Sequence, residues 1–260
     1  MAVWAVIGGA GGIGRAVSQQ LMALAGPNQV VLLGRTEDTL EQAQKQCLAN
    51  ASPDNECSTL PIDATDFDAL LQALTSIVGD YGRLDGVVNC AGSLLLKPAH
   101  RTSFAEWETT LAQNLTTAFA TVRAATTLMQ KQANPAGGSI VLCSSGAARI
   151  GLANHEAIAA TKAGIEGLVR SAACTYAPKG IRVNAVAPGL TETPLTTSLF
   201  SSEMALSASK KMHPLPHSQG RLGTPDDVAQ AIVWLLTEQS AWVTGQVIAV
   251  DGGLSTLKGA

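Results

Sequence analysis

The segment Ile7-Gly8-Gly9-Ala10-Gly11-Gly12-Ile13-Gly14 joins an apolar, strand-like run to a stretch of helical composition. Each glycine there has a physical use. Gly8 permits a tight turn, Gly12 lets backbone approach a pyrophosphate, and Gly14 allows close helix–strand contact. With the amide of Ile13 they would form an anion cradle at a helix N-terminus. The spacing is Gly-x-x-x-Gly-x-Gly rather than the commoner Gly-x-Gly-x-x-Gly, and a glycine-rich turn with no ligand is the alternative. A second apolar run ends at Leu33-Gly34-Arg35-Thr36. At such a strand tip an acidic residue binds the ribose 2′-hydroxyl of NAD, whereas an arginine accommodates the 2′-phosphate of NADP. Gly34 carries no carboxylate to repel that phosphate, and the Arg35 fork can bind it through charge-assisted hydrogen bonds, with Thr36 beside it. An exposed surface charge is the other reading of Arg35. Glu37 and Asp38 read as first-turn acids of the next helix.

These residues need a scaffold, and the chain supplies one by alternation. Apolar, β-type runs occur at 2–7, 29–33, 57–62, 85–90, 139–143, 181–186 and 246–250, with longer helix-period segments between them. That rhythm predicts an α/β fold: a single doubly wound, Rossmann-type parallel sheet of seven strands with helices on both faces. Across 104–131, Leu111, Leu115, Phe119, Val122 and Met129 recur at helical spacing and predict one long helix with a core-facing or subunit-facing stripe. The whole of 1–260 reads as one nicotinamide-nucleotide-binding domain.

Composition narrows the function. Hydrophobic residues make up 46% and the net charge is −3 with no Lys/Arg block, which points away from disorder, nucleic acid and membrane surfaces. The short apolar start lacks a basic region and runs at once into glycines, so it reads as a first strand rather than a signal peptide. Five scattered cysteines, at 47, 57, 90, 143 and 174, form no Cys-x-x-Cys or His/Cys cluster. No metal is expected, and the thiols read as small buried apolar groups in a reducing, cytoplasmic compartment.

In order along nearly its whole length the chain resembles the short-chain dehydrogenase/reductase family. Gly8, Gly12 and Gly14 match its glycine loop, although Ile7 stands where Thr is usual. Ile62-Asp63-Ala64-Thr65-Asp66 resembles the segment whose Asp meets the adenine, so Asp63 and Ala64 take that place. Asn89-Cys90-Ala91-Gly92 resembles Asn-Asn-Ala-Gly, with Cys90 replacing the second Asn. Asn114 matches the mid-helix Asn that supports a proton-relay water. Ser145 matches the serine that holds the substrate oxygen, and Lys162 the lysine that binds the nicotinamide ribose. Pro188-Gly189 resembles the turn under the nicotinamide, and Thr193 the residue that contacts its carboxamide. The resemblance implies a nicotinamide cofactor, NADP by the Arg35 reading, a small-molecule substrate, and a homo-oligomer, tetramer or dimer.

One residue breaks the pattern. The family donates a proton from the tyrosine of Tyr-x-x-x-Lys, and here Ile158 precedes Lys162 by four residues. Isoleucine has no proton to give. On a helix, positions 155, 158 and 162 share a face, which makes His155 a candidate donor through a neutral imidazole N–H. Alternatively His155 merely tops the helix, with Asn154 as N-cap and Glu156 as a first-turn acid. Glu156, His213 and His217 are weaker candidates. The segment 195–220 resembles the family's substrate lid; Leu195, Leu199, Phe200, Met204, Leu206, Met212 and Leu215 make it apolar, and Leu94, Leu95 and Leu96 add to a hydrophobic surround. Arg149 is either a contact for an anionic substrate group or a surface arginine. Three functions stand open: an NADPH-dependent reductase of a carbonyl or activated double bond with a non-tyrosine donor, a non-catalytic NADP(H)-binding protein, and a structural subunit.

Overall fold

The computed structural model describes residues 1–49, 51–132, 137–215 and 221–257. Seven parallel strands form one sheet: β1 (Ala2–Ile7), β2 (Asn28–Gly34), β3 (Glu56–Pro61), β4 (Gly86–Asn89), β5 (Gly138–Cys143), β6 (Ile181–Pro188) and β7 (Val247–Val250). All seven expected strands are present, with ends within two residues of those read from the sequence. Their spatial order is β3-β2-β1-β4-β5-β6-β7. The order reverses between β1 and β4, which leaves a crevice beyond their carboxyl ends, where ligands of open α/β sheets bind.

Period-2 alternation divides the core in two. Val3, Ala5 and Ile7 of β1 face one side and Trp4 and Val6 the other. The first side is covered by α3 (Phe67–Tyr81), α5 (Thr117–Met129) and α6 (Glu156–Tyr176), the second by α1 (Gly12–Met22), α2 (Glu37–Leu48) and α8 (Pro225–Leu236). Two shorter helices, α4 (Phe104–Leu111) and α7 (Glu203–Lys211), lie outside these layers.

Helix starts carry their expected chemistry. Asp66 caps α3 through the amides of Asp68 and Ala69. Ser103 with Glu106, and Thr224 with Asp227, form capping boxes on α4 and α8. Asp227 also accepts from Arg221, whose guanidinium holds its carboxyl well below the usual carboxylate range.

The long helix expected over 104–131 is not continuous. Residues Ala112–Thr116 form a π-helical turn between α4 and α5. The extra residue in that turn rotates α5 relative to α4, so a stripe counted at α-helical spacing does not hold across it. Val122 and Met129 are buried, but Phe119 is half-exposed and stacks on Phe67 with ring centroids 5.9 Å apart. No helix among the described residues is long and apolar enough to cross a membrane.

Candidate cofactor and active site

A cavity opens at the β1/β4 reversal. Its floor is the glycine loop, with Gly8, Gly12, Ile13 and Gly14 on its lining. Gly8 takes φ +76°, a left-handed conformation, and a Cβ there would lie 2.7 Å from the Ala91 amide. A Cβ on Gly14 would lie 2.2 Å from the Gly8 carbonyl oxygen, so α1 meets the loop at a distance only glycine allows. The cap of α1 at Gly11 makes no side-chain hydrogen bond, and no acid sits in the first turn. First-turn amides have no intrahelical acceptor, so this end presents donors and positive potential to the cavity.

Arg35 and Thr36 line the far end, with Thr39 one turn into α2. Arg35 is exposed and makes no ion pair among the described residues. Glu37 and Asp38 occupy the first turn of α2, as read from the sequence. Asp63, Ala64 and Thr65 form the wall after β3. The Asp63 carboxylate accepts from the amide and hydroxyl of Thr65 at 2.9 and 2.8 Å; these bonds, with the charge of Arg35, hold its pKa below the ordinary aspartate value.

Ala91 and Gly92 complete the wall after β4, whereas Asn89 lies behind it. Buried Asn89 accepts from the Ala91 amide at 2.9 Å and donates to Thr121 at 2.9 Å, so it shapes the loop rather than lining the cavity. Thr193 lies over the glycine loop: a Cβ on Gly12 would meet Thr193 Cβ at 2.9 Å. Pro188 and Gly189 are not on this lining either; His213 Nε2 lies 2.9 Å from a Cβ built on Gly189.

Lys162 and Asn114 converge beside Gly92. A Cβ on Gly92 would lie 2.9 Å from Asn114 Oδ1 and 3.5 Å from Lys162 Nζ. Asn114, within the π-helical turn, donates to the Thr110 carbonyl at 2.9 Å and to Ser93 Oγ at 3.1 Å, and accepts from the Ser93 amide. Lys162 donates to the Cys143 carbonyl at 2.8 Å; burial pushes its pKa down. Ser145 follows β5 directly after Ser144, and its hydroxyl accepts from the Ala147 amide at 3.2 Å. Ile158 is 3% exposed and belongs to neither core cluster; it sits on α6 one turn before Lys162.

His155, not Asn154, occupies the N-cap position of α6, and it makes no side-chain capping bond. Asn154 takes φ +64° and its carbonyl accepts from the Lys97 amide, so it ends the preceding turn instead. The His155 Nδ1 lies 2.7 Å from the Ala153 carbonyl oxygen. A carbonyl accepts only, so Nδ1 carries the proton, and the neutral ring is left with a bare Nε2. The N–H electrophile expected from the sequence is therefore not free at Nδ1.

The other candidates are tied elsewhere. Glu156 accepts from the Ala99 amide at 3.4 Å. His213 has both ring nitrogens engaged, by the Leu190 amide and the Ser209 carbonyl. His217 lies outside the described residues. Arg149 bonds Glu166 and the Val247 carbonyl, a structural role in place of a substrate contact. The apolar lid residues Leu195, Met204, Met212 and Leu215 are exposed. Among the described residues no His, Cys, Asp or Glu cluster suits a metal.

Thr39, Gln113 and Thr117 line the cavity although they lie outside the motifs read from the sequence; packing brings them there.

Residues 8–255 match the family model described as enoyl-(acyl carrier protein) reductase. The chain is 35% identical over 250 residues to 3-oxoacyl-(acyl-carrier-protein) reductase FabG of Thermotoga maritima, covering 96% of each. It is 34% identical to cis-4-hydroxycyclohexanecarboxylate dehydrogenase of Sinomonas cyclohexanicum, over 97% of this chain and 96% of the other. Its structure superposes on a short-chain type dehydrogenase/reductase from Mycobacterium ulcerans with a TM-score of 0.91 and 32% identity, covering 99% and 91%. It superposes on a tyrosine-to-phenylalanine variant of ElxO with NADPH bound with a TM-score of 0.87 and 29% identity, covering 98% and 99%. The chain belongs to the short-chain dehydrogenase/reductase family and is an oxidoreductase of that type.

Proposed function

We propose that the protein is an NADP(H)-dependent reductase that acts on a carbonyl or activated double bond of a hydrophobic small molecule, with a proton donor other than tyrosine. The observation that carries this reading is one cavity lined by Arg35, Thr36, the start of α1 and Gly92, with Lys162 and Asn114 packed beside Gly92. The fit to a phosphorylated dinucleotide rests on the glycine contacts, on the missing first-turn acid of α1, and on Gly34, which places no carboxylate next to Arg35. NADPH bound in a relative of the same fold supports the choice of cofactor.

The cofactor would supply hydride; the chain's residues do the rest. Gly12, Ile13 and Gly14 offer amides to the pyrophosphate, Arg35 and Thr36 receive the 2′-phosphate, and Asp63 with Ala64 bounds the adenine side. Lys162, held by the Cys143 carbonyl, binds the nicotinamide ribose, and Thr193 contacts the carboxamide. Asn89 fixes the Ala91-Gly92 backbone. Ser145 polarises the substrate oxygen, and Asn114 supports a water line. Residues 1–260 act as one domain in a cytoplasmic homo-oligomer, dimer or tetramer, with neither nucleic acid nor membrane as partner.

A second reading, a non-catalytic NADP(H)-binding protein, is favoured by one observation: buried Ile158 holds the place of the family's acid. The two separate by measuring NADPH consumption with a panel of apolar ketones and α,β-unsaturated carbonyls, alongside Ile158→Tyr. Turnover by the parent protein that Ile158→Tyr does not raise supports the reductase. NADPH binding with no turnover across the panel, together with carbonyl reduction gained in Ile158→Tyr, supports the second reading. A protein that binds no NADPH overturns both.

A further inference from the structure

Cys90 and Cys143 lie at the carboxyl ends of β4 and β5, the neighbours that carry the cofactor wall. Asn89 is in register with Leu142, so the next residue of each strand stands beside the other. Adjacent strands are about 4.8 Å apart, inside the roughly 4.4–6.8 Å between Cα atoms that a disulfide needs. The two sulfur atoms are 3.9 Å apart. Cys90 lines the cofactor cavity, and neither residue is fully buried. The Lys162 ammonium, on the Cys143 carbonyl at 2.8 Å, places a positive charge beside the pair, which favours a thiolate.

We propose that Cys90 and Cys143 form a dithiol modification site that a hydroperoxide converts to a disulfide, and that this disulfide weakens cofactor binding. Cys90, which lines the cavity, reacts first: its thiolate attacks a peroxide oxygen, the O–O bond breaks, sulfur is oxidised to sulfenic acid, and the departing hydroxide takes up the thiol's proton as water. The Cys143 sulfur then attacks the sulfenic sulfur. The S–S bond forms, the S–O bond breaks, and the hydroxyl leaves with the Cys143 proton as a second water. Two electrons pass from the two thiols to the peroxide. Closure from 3.9 Å to a bond of about 2.05 Å draws the sulfurs together by about 1.9 Å. That movement strains the Cys143 carbonyl under Lys162 and the Cys90-Ala91 backbone that abuts Gly8.

The effect on affinity rests on the NADP(H) reading; the disulfide does not. The test uses folded full-length protein carrying Cys174→Ser, which removes an exposed thiol. It is treated with hydrogen peroxide, digested without reductant, and its peptides are weighed. The expected result is a linked Cys90–Cys143 pair, reversed by dithiothreitol, and on the same samples an NADPH Kd raised about tenfold or more. Cys90→Ser and Cys143→Ser should each abolish the link and the peroxide-dependent change, whatever their starting affinity. Circular dichroism checks that each is folded, and one folded variant suffices. Sulfinic acids, or a Cys47–Cys57 link without the 90–143 pair, overturn the proposal. So does a linked protein whose NADPH affinity equals that of the reduced one. A reduced protein that binds no NADPH overturns the cofactor reading instead, and the linked peptide then decides the dithiol site alone.

Discussion

Replacing Arg35 isolates the group on which the cofactor choice depends. Arg35 is exposed, lines the cavity, and makes no ion pair among the described residues, so its charge is available to a ligand. Two unit charges about 4 Å apart attract by about 1 kcal/mol in water and about 4 kcal/mol near a protein surface. A phosphate monoester carries between one and two negative charges near neutrality. After losses to hydration and side-chain ordering, about 1.4–2.8 kcal/mol should remain, or about 10–100-fold in affinity. Fluorescence titration should therefore show NADPH binding at least tenfold more tightly than NADH. Arg35→Ala should remove that difference and leave NADH within about twofold of its original affinity. Arg35→Asp should go further, since a carboxylate repels the 2′-phosphate and can accept from the ribose hydroxyl of NADH. The arginine is exposed, so the NADPH preference should shrink as salt rises. Equal affinities in the parent protein, or an Arg35→Ala that weakens both cofactors alike, would refute this reasoning.

Three other substitutions test separate parts of the structure. His155→Ala should cut turnover about 100-fold with NADPH affinity unchanged; unchanged turnover on a substrate the parent processes would exclude His155. Gly14→Ala drives a Cβ to 2.2 Å from the Gly8 oxygen and should cost about 2 kcal/mol or more in thermal unfolding; an unaltered melting temperature would mean that the loop gives way freely. Asp227→Asn removes the charge that Thr224 and Arg221 bond at the start of α8, and should cost about 1 kcal/mol at neutral pH after allowance for solvent screening. Its folded pKa is depressed, so the stabilisation is present above the unfolded aspartate value of about 3.9 and is lost as pH falls through the lower folded value. Urea denaturation of both proteins should converge in strong acid; a constant gap would refute the linkage.

The sequence by itself determined the layers and the cradle. Strands buried on both faces must be apolar throughout, so their positions show as composition, and alternation with helices leaves a parallel sheet as the solution. The glycines at 8 and 14 were legible because only glycine satisfies the left-handed turn and the 2.2 Å approach now seen there. That an isoleucine stands four residues before Lys162 was legible, since it depends on a residue type alone. Position in space was not. The π-helical turn at Ala112–Thr116 leaves composition unchanged while it rotates Phe119 outward, and no period count registers one inserted residue. His155 shares a helix face with Lys162 on paper, yet the Ala153 carbonyl that takes its N–H is fixed by a backbone turn. Asn89, which lies behind the wall, and Thr39, which lines it, owe those places to side-chain packing. The neighbouring sulfurs of Cys90 and Cys143 are 53 positions apart in the chain, and only the pairing of β4 with β5 sets them 3.9 Å apart. Local pattern encodes elements because backbone periodicity repeats over a few residues; contacts between distant residues depend on strand order and helix rotation, which are settled only when the whole core packs.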